Sequence, residues 1–372
     1  MKIAWIGKLA PIDGNVTYSN QITKELAERG HDVTFYHFGA ESAPYAQKTV
    51  QLPTLARNQA MGFALPGAGE RLRRTLASLA PDVVHASLGL SSIDFAFPKV
   101  CRELGIPSVA TFHLQFSRER NLYSLAYRIA YRVYARSLAR YDRVIIFSEA
   151  QRDLLAAYGV DPARVVVLPN GVDVKTYCPG PSDFRRSIGA DRVVTYLGRI
   201  DGEKKVDTLI HAFLSLRPEP GTKLVIAGSG PFFAPLKARY GSHPQVVFTG
   251  YIKDLDSKLS LLRATDVWVL PSLAEGLSLA LLEAMACGLP IIASDAGADG
   301  EALGDAGVVI STRRVGQDLA PSLDGLLRAG ESERQALGQK ARERAVRLFS
   351  LDGNIARLEK VYREIGLERR RA

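Results

Sequence analysis

The chain of 372 residues is predicted to fold as two α/β domains, each a doubly wound parallel sheet. Three observations predict this. Short β-branched apolar runs alternate with helix-period segments, the pattern of βαβ units. The alternation breaks at Tyr177–Asp183 and then restarts. The length suits two domains of ordinary size.

In chain order, the expected strands of the first domain are Lys2–Ile6, Asp32–Phe38, Asp82–Ala86, Ser108–Phe112, Arg143–Ser148 and Val165–Leu168. Helical periodicity over Tyr18–Arg29, Gly69–Leu79 and Arg152–Tyr158 separates them. Pro179, Gly180 and Pro181 mark Tyr177–Asp183 as a linker. Beyond it the expected strands are Val193–Gly198, Lys223–Ala227, Val246–Thr249, Val267–Leu270, Pro290–Ala293 and Gly307–Ile310. Val206–Leu216, Leu255–Leu262, Leu277–Ala286 and Ser332–Leu348 read as the helices between and after them. The domains are therefore expected over residues 1–178 and 184–350. In the remainder, 351–372, the helix Asp352–Gly366 is expected to run back to the first domain, with a basic, frayed tail at Glu368–Ala372. Such sheets bind ligands outside the carboxyl ends of their strands, so the two domains are expected to face each other across a cleft.

Composition sets outer bounds. Apolar residues make up 47% and charged residues 23%, so the chain is globular rather than disordered and buries a core without staples. Cys101, Cys178 and Cys287 show no metal-ligand spacing and read as small buried residues in a reducing compartment. No run approaches the roughly 18 apolar residues of a membrane span. Lys8 interrupts the first apolar stretch, which reads as a strand rather than a signal peptide, and a cytoplasmic protein is expected. The net charge of +9 attracts polyanions: nucleic acid, anionic headgroups or phosphorylated substrates.

The stretch Pro271–Pro290 carries the chemistry. A strand ending at Leu270 is followed by a loop with Glu275 and Gly276 and then by a helix. The first amides of a helix are unsatisfied and favour a phosphate, which points to Leu277, Ser278 and Leu279. Glu275 stands in the loop, and Glu283, eight residues on, sits inside the apolar run Leu279–Ala286. A carboxylate in such surroundings needs a partner, and carboxylates accept well from vicinal hydroxyls. One glutamate suits a sugar and the other a ribose, with a diphosphate between them.

This stretch resembles the E-x7-E signature of the family 4 retaining glycosyltransferases, which have the GT-B fold. Other segments match in order. Gly198-Arg199 with Lys204 resembles the family's G-R-x4-K phosphate clamp, and Gly228-Ser-Gly230-Pro231 its second glycine turn. Pro169-Asn170-Gly171-Val172-Asp173, Ser148-Glu149-Ala150, His85, Thr111-Phe-His113 and Arg29-Gly30-His31 resemble further family segments, so the likeness covers nearly the whole chain. It implies a nucleotide-sugar donor, expected to be a UDP-hexose, with Glu275 and His113 on the transferred sugar, and Arg199 and Lys204 on the diphosphate. Cations placed where charge develops on a leaving group are the form of catalysis expected. Front-face displacement is favoured over an enzymic nucleophile. No metal is expected, since no D-x-D motif stands in a credible site, and no cofactor.

Three departures from the family stand out. Gly14-Asn15 replaces its usual Gly-Gly after the first strand, so Gly14 is expected to let backbone approach the donor and Asn15 to offer an amide. Lys205 stands where glycine usually follows the clamp lysine. Gly297-Ala-Asp299-Gly300-Glu301 is a variant of its G-G-x-x-E loop.

The segment Arg118–Arg143 places Tyr123, Tyr127 and Tyr131, and also Arg128, Arg132, Arg136 and Arg140, four residues apart. On a helix these are neighbouring stripes, expected to lie on an anionic membrane surface with the tyrosines at the interface. Nucleic acid is not expected as a partner. The N-terminal motifs Ile3–Lys8, Gly14–Tyr18 and His37-Phe38 most resemble the branch that makes digalactosyldiacylglycerol in cyanobacteria, which implies UDP-galactose as donor and monogalactosyldiacylglycerol as acceptor. Transfer to a soluble or polysaccharide acceptor, or a non-catalytic sugar-nucleotide-binding module, stay open. A nicotinamide dehydrogenase is disfavoured because no G-x-G-x-x-G follows the first strand.

Overall fold

The computed structural model describes residues 1–9, 14–38, 48–57, 62–89, 91–115 and 122–371. The stretches Ala10–Asp13 of the first loop and Arg118–Asn121 of the basic segment lie outside the described residues. The chain divides into two compact units. One comprises Met1–Leu114, Leu125–Asn170 and Asn354–Ala372, the other Gln115–Ser124 and Gly171–Gly353.

The first unit holds β1 (Lys2–Lys8), β2 (Asp32–Phe38), β3 (Lys48–Leu52), the pair β4 (Thr54–Arg57) and β5 (Gly62–Ala64), then β6 (Val83–Leu88), β7 (Ser108–Phe112), β8 (Arg143–Ile146) and β9 (Val165–Val167). Seven of these form one sheet in the order β3-β2-β1-β6-β7-β8-β9, with every pairing parallel. All six residues of β6 are buried. Sheets covered on both faces read as continuous apolar runs in this way. Trp5 and His85 are register partners across β1 and β6, and their rings stack with centroids 4.1 Å apart.

The second unit holds β10 (Arg192–Leu197), β11 (Thr222–Ala227), β12 (Val246–Gly250), β13 (Val267–Leu270), β14 (Ile291–Ser294) and β15 (Val308–Ile310). They form a parallel sheet in the order β12-β11-β10-β13-β14-β15. Its helices bury apolar stripes against the sheet. On Val206–Ser215 the buried side chains are Val206, Leu209, Ile210 and Phe213, one face of a 3.6-residue period.

Several boundaries differ from expectation, each for a local reason. The strand at Arg143 stops at Ile146 because Ser148 caps the helix Glu149–Ala157, its hydroxyl accepting from the Gln151 amide. Gln151 Oε1 accepts in return from Phe147 N at 3.0 Å, closing a variant of the capping box. The helix expected from Leu277 begins at Leu279, since Ser278 is its cap and accepts from Leu281 N. The expected linker Tyr177–Asp183 is packed into the second unit. Arg342 donates to Tyr177 O, Arg263 to Cys178 O, and Ser182 to Ser260 O. The last helix, Leu351–Arg371, lies with the first unit from Asn354 onward.

Candidate active site

The second unit brings the predicted donor residues together in two clusters. The first forms where the loop after β10 meets the loop after β13. Leu273 N donates to Glu203 O at 2.8 Å and ties the two loops. Asp201 caps the single turn Gly202–Lys204, accepting from the Glu203 and Lys204 amides. That turn sets Lys204 beneath Glu275, with Nζ 2.5 Å from Oε1, and both side chains are 9% exposed. A buried pair so short is a strong charge-assisted hydrogen bond. An ammonium has three donors, so Glu275 engages only one of them. Arg199 is different. Its side chain is 55% exposed, and Asp201 Oδ2 anchors Nε at 2.7 Å. The outer edge of the guanidinium is thus left to solvent or ligand.

The glycine turns act first on each other. Gly228 has φ +140, and a Cβ there would stand 1.8 Å from Gly198 O. Gly230 has φ +154, and its Cβ would meet Ile200 O at 2.3 Å. Only glycine permits both the conformation and the approach, so the loops after β10 and β11 interlock through backbone. Ile200 N donates to Ser229 O and Phe232 N to Ile200 O across that contact.

At the mouth of the helix Leu279–Ala286 the structure adds a residue that sequence reasoning left without a role. Asp299 is 1% exposed, and its Oδ1 accepts from Ser278 N at 2.8 Å. The Ser278 amide is therefore occupied by a carboxyl group, and with Leu281 N held by the cap, the Leu279 and Ala280 amides are the donors of this terminus without a partner among the described residues. Gly276 contributes its carbonyl, which accepts from Ala298 N. Asp299 Oδ2 has no partner among the described residues. Burial, and then the Glu275 charge, push the Asp299 carboxyl well above the usual carboxylate range.

The second cluster surrounds Glu283, which is 5% exposed within the apolar face of the helix. Lys258 Nζ lies 2.6 Å from its Oε1 and 3.2 Å from the Tyr177 hydroxyl. Burial, and then the Glu283 charge, raise the Tyr177 phenol above its usual range. Neither Lys258 nor Tyr177 stands in a recognisable motif, so no sequence signal marked them.

In the first unit the predicted residues form a neutral network. His113, at the end of β7, has Nε2 2.9 Å from Ser87 Oγ. Ser87 also donates to Asn15 Oδ1 at 2.8 Å, and Asn15 Nδ2 donates to Leu88 O at 3.0 Å. Asn15 thus fastens the helix Gly14–Glu28 to the end of β6, and the amide expected to be offered to a ligand is held by the protein. Gly14 opens that helix, and among the described residues a Cβ there would meet nothing within 4 Å. Behind this layer His85 Nε2 bonds Thr111 Oγ1 at 2.7 Å and Nδ1 bonds the Tyr362 hydroxyl at 2.5 Å. Burial lowers both histidines to about 3, assisted by the Lys8 charge for His113 and by His113 for His85. Both rings are neutral at physiological pH.

The helix Leu122–Leu138 corrects part of the membrane expectation. Tyr131 is fully buried and donates to Leu114 O, and Tyr134 is buried and donates to Asp94. The exposed stripe consists instead of Leu125, Ile129 and Val133, 53%, 57% and 49% exposed, beside the exposed Arg128, Arg132 and Arg136. Among the described residues no helix is long and apolar enough to cross a membrane.

Residues 12–176 match the family described as Glycosyltransferase Family 4, and residues 191–329 the one described as Glycosyl transferases group 1. The crystal structure of Anabaena HepE in complex with UDP shares the fold at a TM-score of 0.79 and 18% identity, over 98% of this chain and 100% of that one. Sucrose-phosphate synthase from Thermosynechococcus elongatus does so at 0.76 and 22%, over 98% of each chain. The fold is GT-B, and each half of the chain matches one of the two glycosyltransferase families. The D-inositol 3-phosphate glycosyltransferase of Mycobacterium tuberculosis is 32% identical over 249 residues, 62% of this chain and 51% of that protein. The chain spans about half the length of the curated relatives it matches.

Proposed function

We propose that the protein is a retaining glycosyltransferase that moves a hexose from a nucleotide-sugar, expected to be a UDP-hexose, to an acceptor hydroxyl. The observation that carries this reading is the buried Lys204–Glu275 pair beside the anchored, half-exposed Arg199. Glu275 keeps an oxygen for the sugar hydroxyls, and the two remaining Lys204 donors, the Arg199 edge and the Leu279 and Ala280 amides serve the diphosphate. His113, neutral and hydrogen-bonded through Nε2, is assigned a hydrogen bond to the transferred sugar through Nδ1. In front-face displacement the acceptor oxygen bonds the anomeric carbon as its bond to the diphosphate breaks. The acceptor proton passes to the leaving phosphate oxygen, so configuration is retained. The cations and the helix terminus balance the leaving charge without a metal.

For the acceptor we propose a glycolipid at an anionic membrane surface, because Leu125, Ile129 and Val133 form an exposed apolar stripe flanked by arginines. The narrower reading, UDP-galactose to monogalactosyldiacylglycerol, rests on the N-terminal motifs. A second reading, a soluble phosphorylated acceptor, is favoured by the name of the relative that is 32% identical. An assay of labelled nucleotide-sugars against lipid and soluble acceptors separates them. Label entering the lipid phase supports the first. Label entering only soluble product overturns it in favour of the second.

A further inference from the structure

We propose that Lys258 is a positioning residue of the donor site, holding Glu283 as an ionised acceptor for the ribose hydroxyls of the nucleotide. The inference rests on the donor-site reading above and adds to it the residue that sets the ribose contact.

Glu283 stands among Leu281, Leu282, Ala284, Met285 and Ala286, all buried. An ionised carboxylate in such a place is costly unless it is paired. Lys258 meets that need, with Nζ 2.6 Å from Oε1 and the Tyr177 hydroxyl 3.2 Å away. The ammonium also lies 5.2 Å from the centroid of the Tyr177 ring. Three contacts fix one cation, which engages Glu283 through Oε1 alone, and the Tyr177 hydroxyl also hydrogen-bonds the carboxylate.

The placement of Lys258 does not serve its own helix. It falls in the opening turns of Leu255–Ala264, whose terminus already has Asp254 as cap and Asp256 in its first turn. A helix start favours anions and disfavours a lysine, so this cation is explained by Glu283. The Lys258 side chain is 24% exposed and that of Glu283 is 6%. Glu283 lies four residues past Leu279, roughly 6 Å along the helix axis from the amides that face a diphosphate. A nucleoside diphosphate spans that interval, which brings its ribose to the carboxylate.

The test compares UDP with 2′,3′-dideoxyuridine diphosphate by calorimetry on the full chain, on Lys258→Met and on Lys258→Arg. The parent is expected to bind UDP roughly tenfold to thirtyfold more tightly than the dideoxy compound, the worth of hydrogen bonds to a charged acceptor. In Lys258→Met that preference falls to within about twofold, while affinity for the dideoxy compound stays at the parent's value. Lys258→Arg restores most of it. The proposal is overturned if Lys258→Met keeps the parent's preference, or if it loses affinity for both compounds equally. Should Lys258→Met fail to fold, Lys258→Gln, which keeps a neutral donor beside Glu283, must lose part of that preference, and a Lys258→Gln variant with the parent's full preference overturns the proposal. A parent that binds neither compound defeats the uridine-donor reading itself, a result distinct from either of these.

Discussion

The histidines in the polar cluster of the first unit are neutral, whereas the two clusters of the second unit are built on ion pairs. In the first, His85 and His113 are held neutral by burial and joined to Thr111, Tyr362 and Ser87 through ring nitrogens. In the second, Lys204, Glu275, Arg199, Asp201, Lys258 and Glu283 meet in three ion pairs. The difference teaches what each cluster suits. Neutral donors and acceptors at fixed positions read hydroxyl patterns and respond little to salt. Paired cations with spare donors answer a ligand that carries its own charge, and most of all one that gains charge as it leaves.

The strongest way to break this contrast is Lys204→Met. It leaves Glu275 buried without its partner, so turnover is lost and unfolding free energy falls by about 3–5 kcal/mol. Activity assays and denaturant melts read the two effects. A variant as stable as the parent shows that the pair does not hold the two loops. Next comes Arg199→Ala, which separates chemistry from stability. The side chain is half exposed, so stability stays within about 0.5 kcal/mol, while kcat/KM falls roughly 10²–10³-fold. Unchanged kinetics removes Arg199 from the diphosphate.

The neutral cluster is tested by pH. Folded His85 and His113 take protons only near 3, whereas unfolded histidine does so near its ordinary value of about 6.5. Between those values the unfolded chain binds more protons, so stability is complete above about pH 6.5 and is lost as pH falls toward 3. The melting temperature is expected to drop by several degrees between pH 7 and 4.5. The drop should shrink in a variant with both His85→Asn and His113→Asn. An equal slope in parent and variant places the titration elsewhere. The smallest effect belongs to the outer helix. Replacing Arg128, Arg132 and Arg136 by Gln should weaken binding to anionic vesicles roughly tenfold at low salt, and less at high salt. Binding to neutral vesicles should not change. Equal binding by variant and parent to anionic vesicles removes the membrane surface from the proposal.

The sheets were legible because their strands are buried on both faces. Asp32–Phe38, Ser108–Phe112 and Val267–Leu270 stand in the structure with the bounds their apolar runs suggest. β3 escaped notice because it is an edge strand, Lys-Thr-Val-Gln-Leu, with only Leu52 buried. The helix Val315–Arg328 was hidden by Gly316, Pro321 and Gly325, residues that normally break helices. Of the candidate site, the residues set in motifs were legible and their neighbours were not. Glu283 announced itself as a carboxylate in an apolar run, but Lys258 is an ordinary lysine in an amphipathic helix. Asp299 was visible only as a departure from a loop pattern. Which amide it occupies depends on long-range packing between the loops at Ser278 and Gly297. The tyrosines of the basic helix misled for a related reason. Their spacing fits an interface or a core equally well, and Gln151, distant in sequence, gives Tyr131 a buried partner.

The most direct measurement is nucleoside diphosphate release from a panel of nucleotide-sugars, by the parent and by Glu275→Ala, with folding of both verified by circular dichroism. The result predicted is that the parent consumes at least one donor and that folded Glu275→Ala consumes none above background. A parent inert toward every donor, or a Glu275→Ala variant that keeps the parent's rate, contradicts the assignment of this site.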